Sequence, residues 1–79
     1  MARKSQKTLR LKMTIPSKVT GEPLIHMLSH DLHVAPNIVR GRIGPSSAWL
    51  EIEIAGSQKN LDRALSFLKE KGVIIEDLD

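Results

Sequence analysis

Residues 7–15 alternate without a break: Leu9, Leu11, Met13 and Ile15 fall on one side, and Thr8, Arg10, Lys12 and Thr14 on the other. A period of two puts successive side chains on opposite faces of a strand, so this run is a strand with one face in a core and the other facing water or a partner. Such a strand cannot stand alone; the rest of the chain must supply a sheet for it and a layer to cover its apolar face. The 79 residues leave room for one two-layer unit and no second core. A chain near this size hides only about 60% of the surface its unfolded form exposes. Such a chain either folds with modest stability or gains buried area by pairing with a second copy.

The remaining segments supply the missing layers. Residues 16–21 are turn-rich, and Glu22-Pro23 opens a helix with Pro at its first position, where a missing N–H is no loss. Leu24, Ile25, Leu28 and Leu32 recur at helical spacing, and this helix is expected to end near His33. Residues 37–43 read as a second strand, Gly44-Pro45-Ser46-Ser47 as a reversal, and residues 49–55 as a third strand. Ala48, Leu50, Ile52 and Ile54 face one way there, and Trp49, Glu51, Glu53 and Ala55 the other. Ser57 offers an N-cap hydroxyl to a second helix with the stripe Leu61, Ala64, Leu65 and Leu68, and Gly72 stops it. Residues 73–76 form a short fourth strand.

The order β-α-β-β-α-β, with both helices amphipathic, predicts an α+β ferredoxin-like fold in which two helices lie on one face of a four-stranded antiparallel sheet. The right-handed crossover rule puts the first and third strands in the middle and the fourth beside the first. The expected layout is a basic flexible tail over residues 1–6 and one domain over residues 7–79. The uncovered face would carry Thr8, Arg10, Lys12 and Thr14 beside Trp49, Glu51 and Glu53, with the opposed charges of the first and third strands pairing across the sheet.

Charge and composition remove several functions. The formal charge is +3, from 12 Lys and Arg against 9 Asp and Glu, yet Arg3, Lys4, Lys7, Arg10 and Lys12 all fall in the first twelve residues. The rest of the chain carries a slight excess of acids, so the total says little about nucleic acid. An RNA reader on this fold places aromatic residues on the central strands; here Arg10, Lys12, Glu51 and Glu53 hold those positions beside a single Trp49. There is no cysteine, which removes disulfides, thiolate nucleophiles and iron–sulfur clusters and suits the cytoplasm. No apolar run approaches the roughly 18 to 20 residues that a bilayer requires, so no membrane insertion is expected. His26 and His30 stand four apart but fall opposite the apolar stripe, with no Cys and only Asp31 nearby; a solvated helix face is expected there, not a metal. Arg40 and Arg42 alternate along the second strand and suit either a solvated face or an anion. No nucleophile elbow is present. Catalysis is not expected, and neither is a cofactor.

Four stretches then become recognisable: Glu22-Pro23-Leu24-Ile25, Asn37-Ile38-Val39, residues 50–56 (L-E-I-E-I-A-G), and Ala64-Leu65-Ser66-Phe67-Leu68 running into Gly72-Val73 and Glu76. In this order and spacing the chain resembles the NIL domain family over about residues 8–78, in the stand-alone form. Val39 stands where the family's naming Asn-Ile-Leu triplet has Leu. The resemblance implies a homodimer formed through the sheets with a regulatory amino-acid site, methionine in importer ATPases, at the dimer interface. By carry-over, Asn37, Ile38 and Val39 are the ligand-binding candidates, Asn37 foremost; a side-chain amide has donors and acceptors for an amino acid's carboxylate and amine. Trp49, Arg10 and Lys12 are candidate interface or ligand contacts. The chain has no phosphate-binding glycine-rich loop, so it holds no ATPase for the domain to restrain, and the effector and the regulated protein partner are both left open. A second reading is a protein-interaction adaptor that uses the open sheet face and the basic arm without a metabolite; RNA binding is a third.

Overall fold

The computed structural model describes residues 6–19 and 23–78. Its elements are β1 (Gln6–Ile15), a 3-10 turn (Ser17–Val19), α1 (Leu24–His30), β2 (Ala35–Ile43), β3 (Ala48–Ser57), α2 (Gln58–Glu70) and β4 (Ile74–Asp77). The strands form one sheet in the order β2-β3-β1-β4, all pairs antiparallel. This is the expected α+β ferredoxin-like arrangement, with β1 and β3 central and β4 beside β1. The alternation of residues 7–15 carries through to burial: Leu11, Met13 and Ile15 are buried, while Thr8, Arg10 and Thr14 are exposed. They meet Ile52 and Ile54 of β3, Leu28 of α1, and Leu61 and Leu68 of α2 in one core.

Boundaries shift by a residue or two for local reasons. Gln6 already pairs with Ser57, so β1 begins within the expected tail; residues 1–5 of that tail lie outside the described residues, as does Glu22. Pro23 holds the N-cap position of α1 and not its first turn, and its carbonyl accepts from the Met27 N–H at 2.9 Å. The helix stops at His30 because the Leu32 N–H donates to Met27 O and the Val34 N–H to Leu28 O, with His33 at φ 57° between them. β2 starts at Ala35, ahead of the expected Asn37, and β4 starts at Ile74 because Val73 is used in closing α2. There the Gly72 N–H donates to Lys69 O and the Val73 N–H to Leu68 O. This Schellman closure needs the positive φ of 85° that Gly72 adopts.

At the other end of α2 the Ser57 hydroxyl accepts from the Asn60 N–H at 3.2 Å, as expected. Ser57→Ala should lower stability by about 1 kcal/mol and the melting temperature by roughly 4–8 °C, read by thermal denaturation monitored by circular dichroism. A melting temperature equal to that of the unsubstituted chain would show that the cap contributes nothing.

Candidate functional site

The face of the sheet away from the helices is a polar ladder. Across β2, β3 and β1 it runs Arg42, Trp49, Thr14 in one row, Arg40, Glu51, Lys12 in the next, and Asn37, Glu53, Arg10 in the third. Arg10 pairs with Glu53 at 2.8 Å, as expected from the cross-strand register. Glu51 does not pair with Lys12; it accepts from the Arg40 Nε–H at 3.0 Å, and the Lys12 ammonium sits 5.1 Å from the centre of the Trp49 ring. On the outer side of β1, Lys12 faces Glu76 of β4. The basic first strand and the acidic end of the chain are thus neighbours. Partly exposed pairs of this kind contribute well under 1 kcal/mol each, but stripping them of water in a dry contact is expensive.

β2 is the edge of this sheet and the least buried strand. A bulge falls in its centre: Ile38 pairs with Ile52 and Arg40 with Glu51, which leaves Val39 as the extra residue. The bulge lies within the Asn37–Val39 segment. Bulges are concentrated at sheet edges and beside functional sites, where they re-aim side chains. Pro36, the bulge, Arg40 and Arg42 are also the features that discourage adventitious strand addition at an edge. Three apolar side chains of the strand stay exposed nonetheless, Ile38 at 52%, Val39 at 43% and Ile43 at 75%.

Beneath this edge, on the helix side, lies an apolar cavity of about 360 Å³. Its floor is Ile15, Ala48 and Leu50, its outer wall Ile38 and Ile43, and its other wall Val19 with the start of α1 from Pro23 to His26. A methyl group at Gly41 would collide with Leu50 and stand 2.7 Å from the Trp49 carbonyl oxygen, so the close approach of β2 to β3 behind the cavity requires glycine. A second depression, about 400 Å³, is lined by Leu32, Asp62, Arg63, Ser66, Phe67 and Glu70. It is open to solvent, and four of its six lining side chains are polar or charged, whereas small-molecule sites are concave and mostly apolar with few polar groups. The cavity under β2 fits that description.

The structure divides the residues that the sequence grouped. Asn37 lies on the open face opposite Glu53, whereas Ile38 lies on the helix side opposite Ile52 and lines the cavity. They are adjacent along the edge strand but on opposite faces of the sheet. Trp49 on β3 and Arg10 and Lys12 on β1 share the open face and are not among the residues that line the cavity. His26 and His30 are exposed, as the helical wheel implies, with rings stacked 5.3 Å apart, and His26 also borders the cavity. Among the described residues no three His, Cys, Asp or Glu side chains converge as metal ligands. Sequence reasoning missed the cavity walls from Ile15, Val19, Ile43, Ala48 and Leu50. The available signal was Ile43, an apolar residue closing a strand just before the Gly44-Pro45 breaker.

A four-stranded antiparallel sheet in the order β2-β3-β1-β4, covered on one face by two helices, defines a small domain of the ferredoxin-like α+β class. The NIL domain model matches residues 9–77, and the chain belongs to the NIL domain family. Methionine import ATP-binding protein MetN 1 of Bacillus cereus is 38% identical over 61 residues, covering 72% of this chain and 18% of that protein. The chain therefore spans about a fifth of the length of these curated relatives. An uncharacterized protein of Synechococcus elongatus is 23% identical over 69 residues, covering 84% of this chain and 85% of its own length. The crystal structure of the C-terminal domain of an ABC transporter ATP-binding protein from Enterococcus faecalis superposes with a TM-score of 0.78 at 19% identity, over 89% of this chain and 82% of that one. That likeness establishes the shared fold. No helix among the described residues is long and apolar enough to cross a membrane.

Proposed function

We propose that this chain is an amino-acid-responsive regulatory module of the cytoplasm, acting as a homodimer and binding its effector at the β2 edge. The observation that carries the reading is the apolar cavity directly beneath the Asn37–Val39 segment in a NIL-family chain. The effector's apolar side chain enters the cavity against Ile38, Ile43 and Leu50. Its charged end remains at the cavity mouth, where the outer backbone groups of β2 and the Asn37 amide offer hydrogen bonds. The relatives that import methionine make methionine the first effector to test, and an importer ATPase the first regulated partner.

A second copy covers the shoulder formed by Ile38, Val39 and Ile43. The open face is a poorer dimer surface, because a dry contact there would strip the Arg10–Glu53 and Arg40–Glu51 pairs of water. The same charge ladder makes that face a weak stacking platform for RNA, since its single Trp49 is already occupied by Lys12. The module binds and does not catalyse. Calorimetric titration of the full chain with a panel of amino acids, run beside sedimentation velocity, tests both parts. Saturable heat with an unbranched apolar amino acid and a concentration-dependent dimer are the expected results. No heat with any amino acid overturns the effector, and a monomer at all concentrations overturns the homodimer.

A further inference from the structure

The cavity under β2 has one side chain in its described lining that can form a hydrogen bond. Ile15, Val19, Pro23, Leu24, Ile25, Ile38, Ile43, Ala48 and Leu50 are all apolar, and His26 is the exception. His26 is an exposed residue, so its imidazole stands at the lip and not on the floor. We propose that His26 reads the anionic end of the cavity's ligand, so that the cavity accepts amphipathic carboxylates and rejects the corresponding amines. The inference rests on the proposed function in using the same cavity, and it adds the chemistry of the head group.

The argument is one of complementarity. A ligand that fills an apolar cavity must leave its charged end at the opening, because a charge carried inside would lack a partner. An imidazole there donates to a carboxylate when neutral and forms a charge-assisted hydrogen bond with it when protonated. It repels an ammonium in the protonated state and offers it one acceptor in the neutral state. No carboxylate lines the cavity among the described residues, so nothing there compensates an amine. An amino acid is then read in two parts, with its carboxylate at His26 and its ammonium at the β2 edge. A carboxylate without an amine keeps the first contact and the apolar burial.

The groups facing His26 support this role. On α1 the His30 ring stacks on it at 5.3 Å with an interplanar angle of 18°, and the Nδ1 of His30 lies 2.9 Å from the Asp31 carboxylate. His30 thus has a polar partner in Asp31, and His26 is the imidazole that borders the cavity. From β1, β2 and β3 the residues lining the cavity are apolar.

The test uses hexanoate, hexan-1-ol and hexylamine as probes, titrated into the full chain, with the His26 ring proton signals followed by NMR. Hexanoate is expected to bind roughly five- to tenfold more tightly than hexylamine and to move the His26 signals as it binds. His26→Leu should remove the head-group preference while hexan-1-ol still binds. His26→Gln, a neutral donor, should keep a preference for carboxylate. Equal affinity for hexanoate and hexylamine, or an unchanged preference in His26→Leu, overturns the proposal, as does the absence of hexanoate binding. The two readings fail separately. Methionine heat that is indifferent to His26 removes this inference and leaves the module; His26-dependent hexanoate binding with no amino-acid heat does the reverse.

Discussion

Ile52→Ala is expected to lower stability by about 2–5 kcal/mol. Ile52 is 0% exposed and sits at the middle of the sheet, paired with Leu11 on one side and Ile38 on the other. Removing its outer carbons loses their burial and opens a void that central strands held from both sides cannot close. A domain of this size has a total stability of only about 4–12 kcal/mol at typical values per residue. The same loss therefore corresponds to a fall in melting temperature of about 10 °C or more, and to a visible unfolded fraction near 37 °C. Urea denaturation reads the loss directly. A change below about 1 kcal/mol would mean that Ile52 is not at the centre of the core.

Ile38→Glu should behave in the opposite way, sparing the fold and abolishing effector binding. Ile38 pairs with the same Ile52, but it lies at the sheet edge and is 52% exposed. A glutamate there can turn its carboxylate to water, so the stability loss should stay near 1 kcal/mol or less. The cavity loses one apolar wall and gains a negative charge beside the entering side chain. Affinity for an apolar amino acid should fall at least about tenfold, and more where the carboxylate cannot leave the wall. Calorimetry on a variant whose circular dichroism matches the unsubstituted chain measures this. Arg42→Ala is the control, because Arg42 lies on the open face opposite Trp49 and should leave affinity unchanged. Unaltered binding by Ile38→Glu would remove the cavity from the account.

The two substitutions share a row of the sheet, and their contrast shows why the fold was more legible than the site. Alternation in β1 and β3 is a local signal with a single physical outcome, and with the two helical stripes it was enough to place Leu11, Met13, Ile52 and Leu61 in one core. Turn chemistry was equally direct at Ser57 and Gly72, where the capping hydroxyl and the positive φ occur where the residue types require them. The β2 strand was harder. Its bulge shifts the alternation by one residue at Val39, so Asn37, Arg40 and Arg42 share a face that a simple period of two does not give. Arg40 therefore reached Glu51, and Lys12 was left to Trp49.

The cavity was not legible because its walls come from β1, β2, β3, the 3-10 turn and α1, and each wall residue alone reads as ordinary core. Ile15, Ala48 and Leu50 differ from their neighbours in what they face, a property of the assembled fold. The Asn37-Ile38-Val39 segment was found by resemblance, and the structure adds a division within it: the asparagine belongs to the open face and the isoleucine to the cavity wall. His26 was read as part of a solvated helix face, which its exposure supports. Its place at the cavity lip appears only once α1 is docked against β2.

The central claim, that an amino-acid effector binds at the β2 edge with its side chain in the cavity beneath, is tested most directly by NMR titration of the isotope-labelled chain with methionine. The expected result is saturable shifts of the backbone amides of residues 37–39 and of the methyl groups of Ile15, Leu24, Ile38, Ile43 and Leu50, with the α2 amides unmoved. Shifts confined to the open face around Arg10, Lys12 and Trp49, or none with any amino acid, would contradict it.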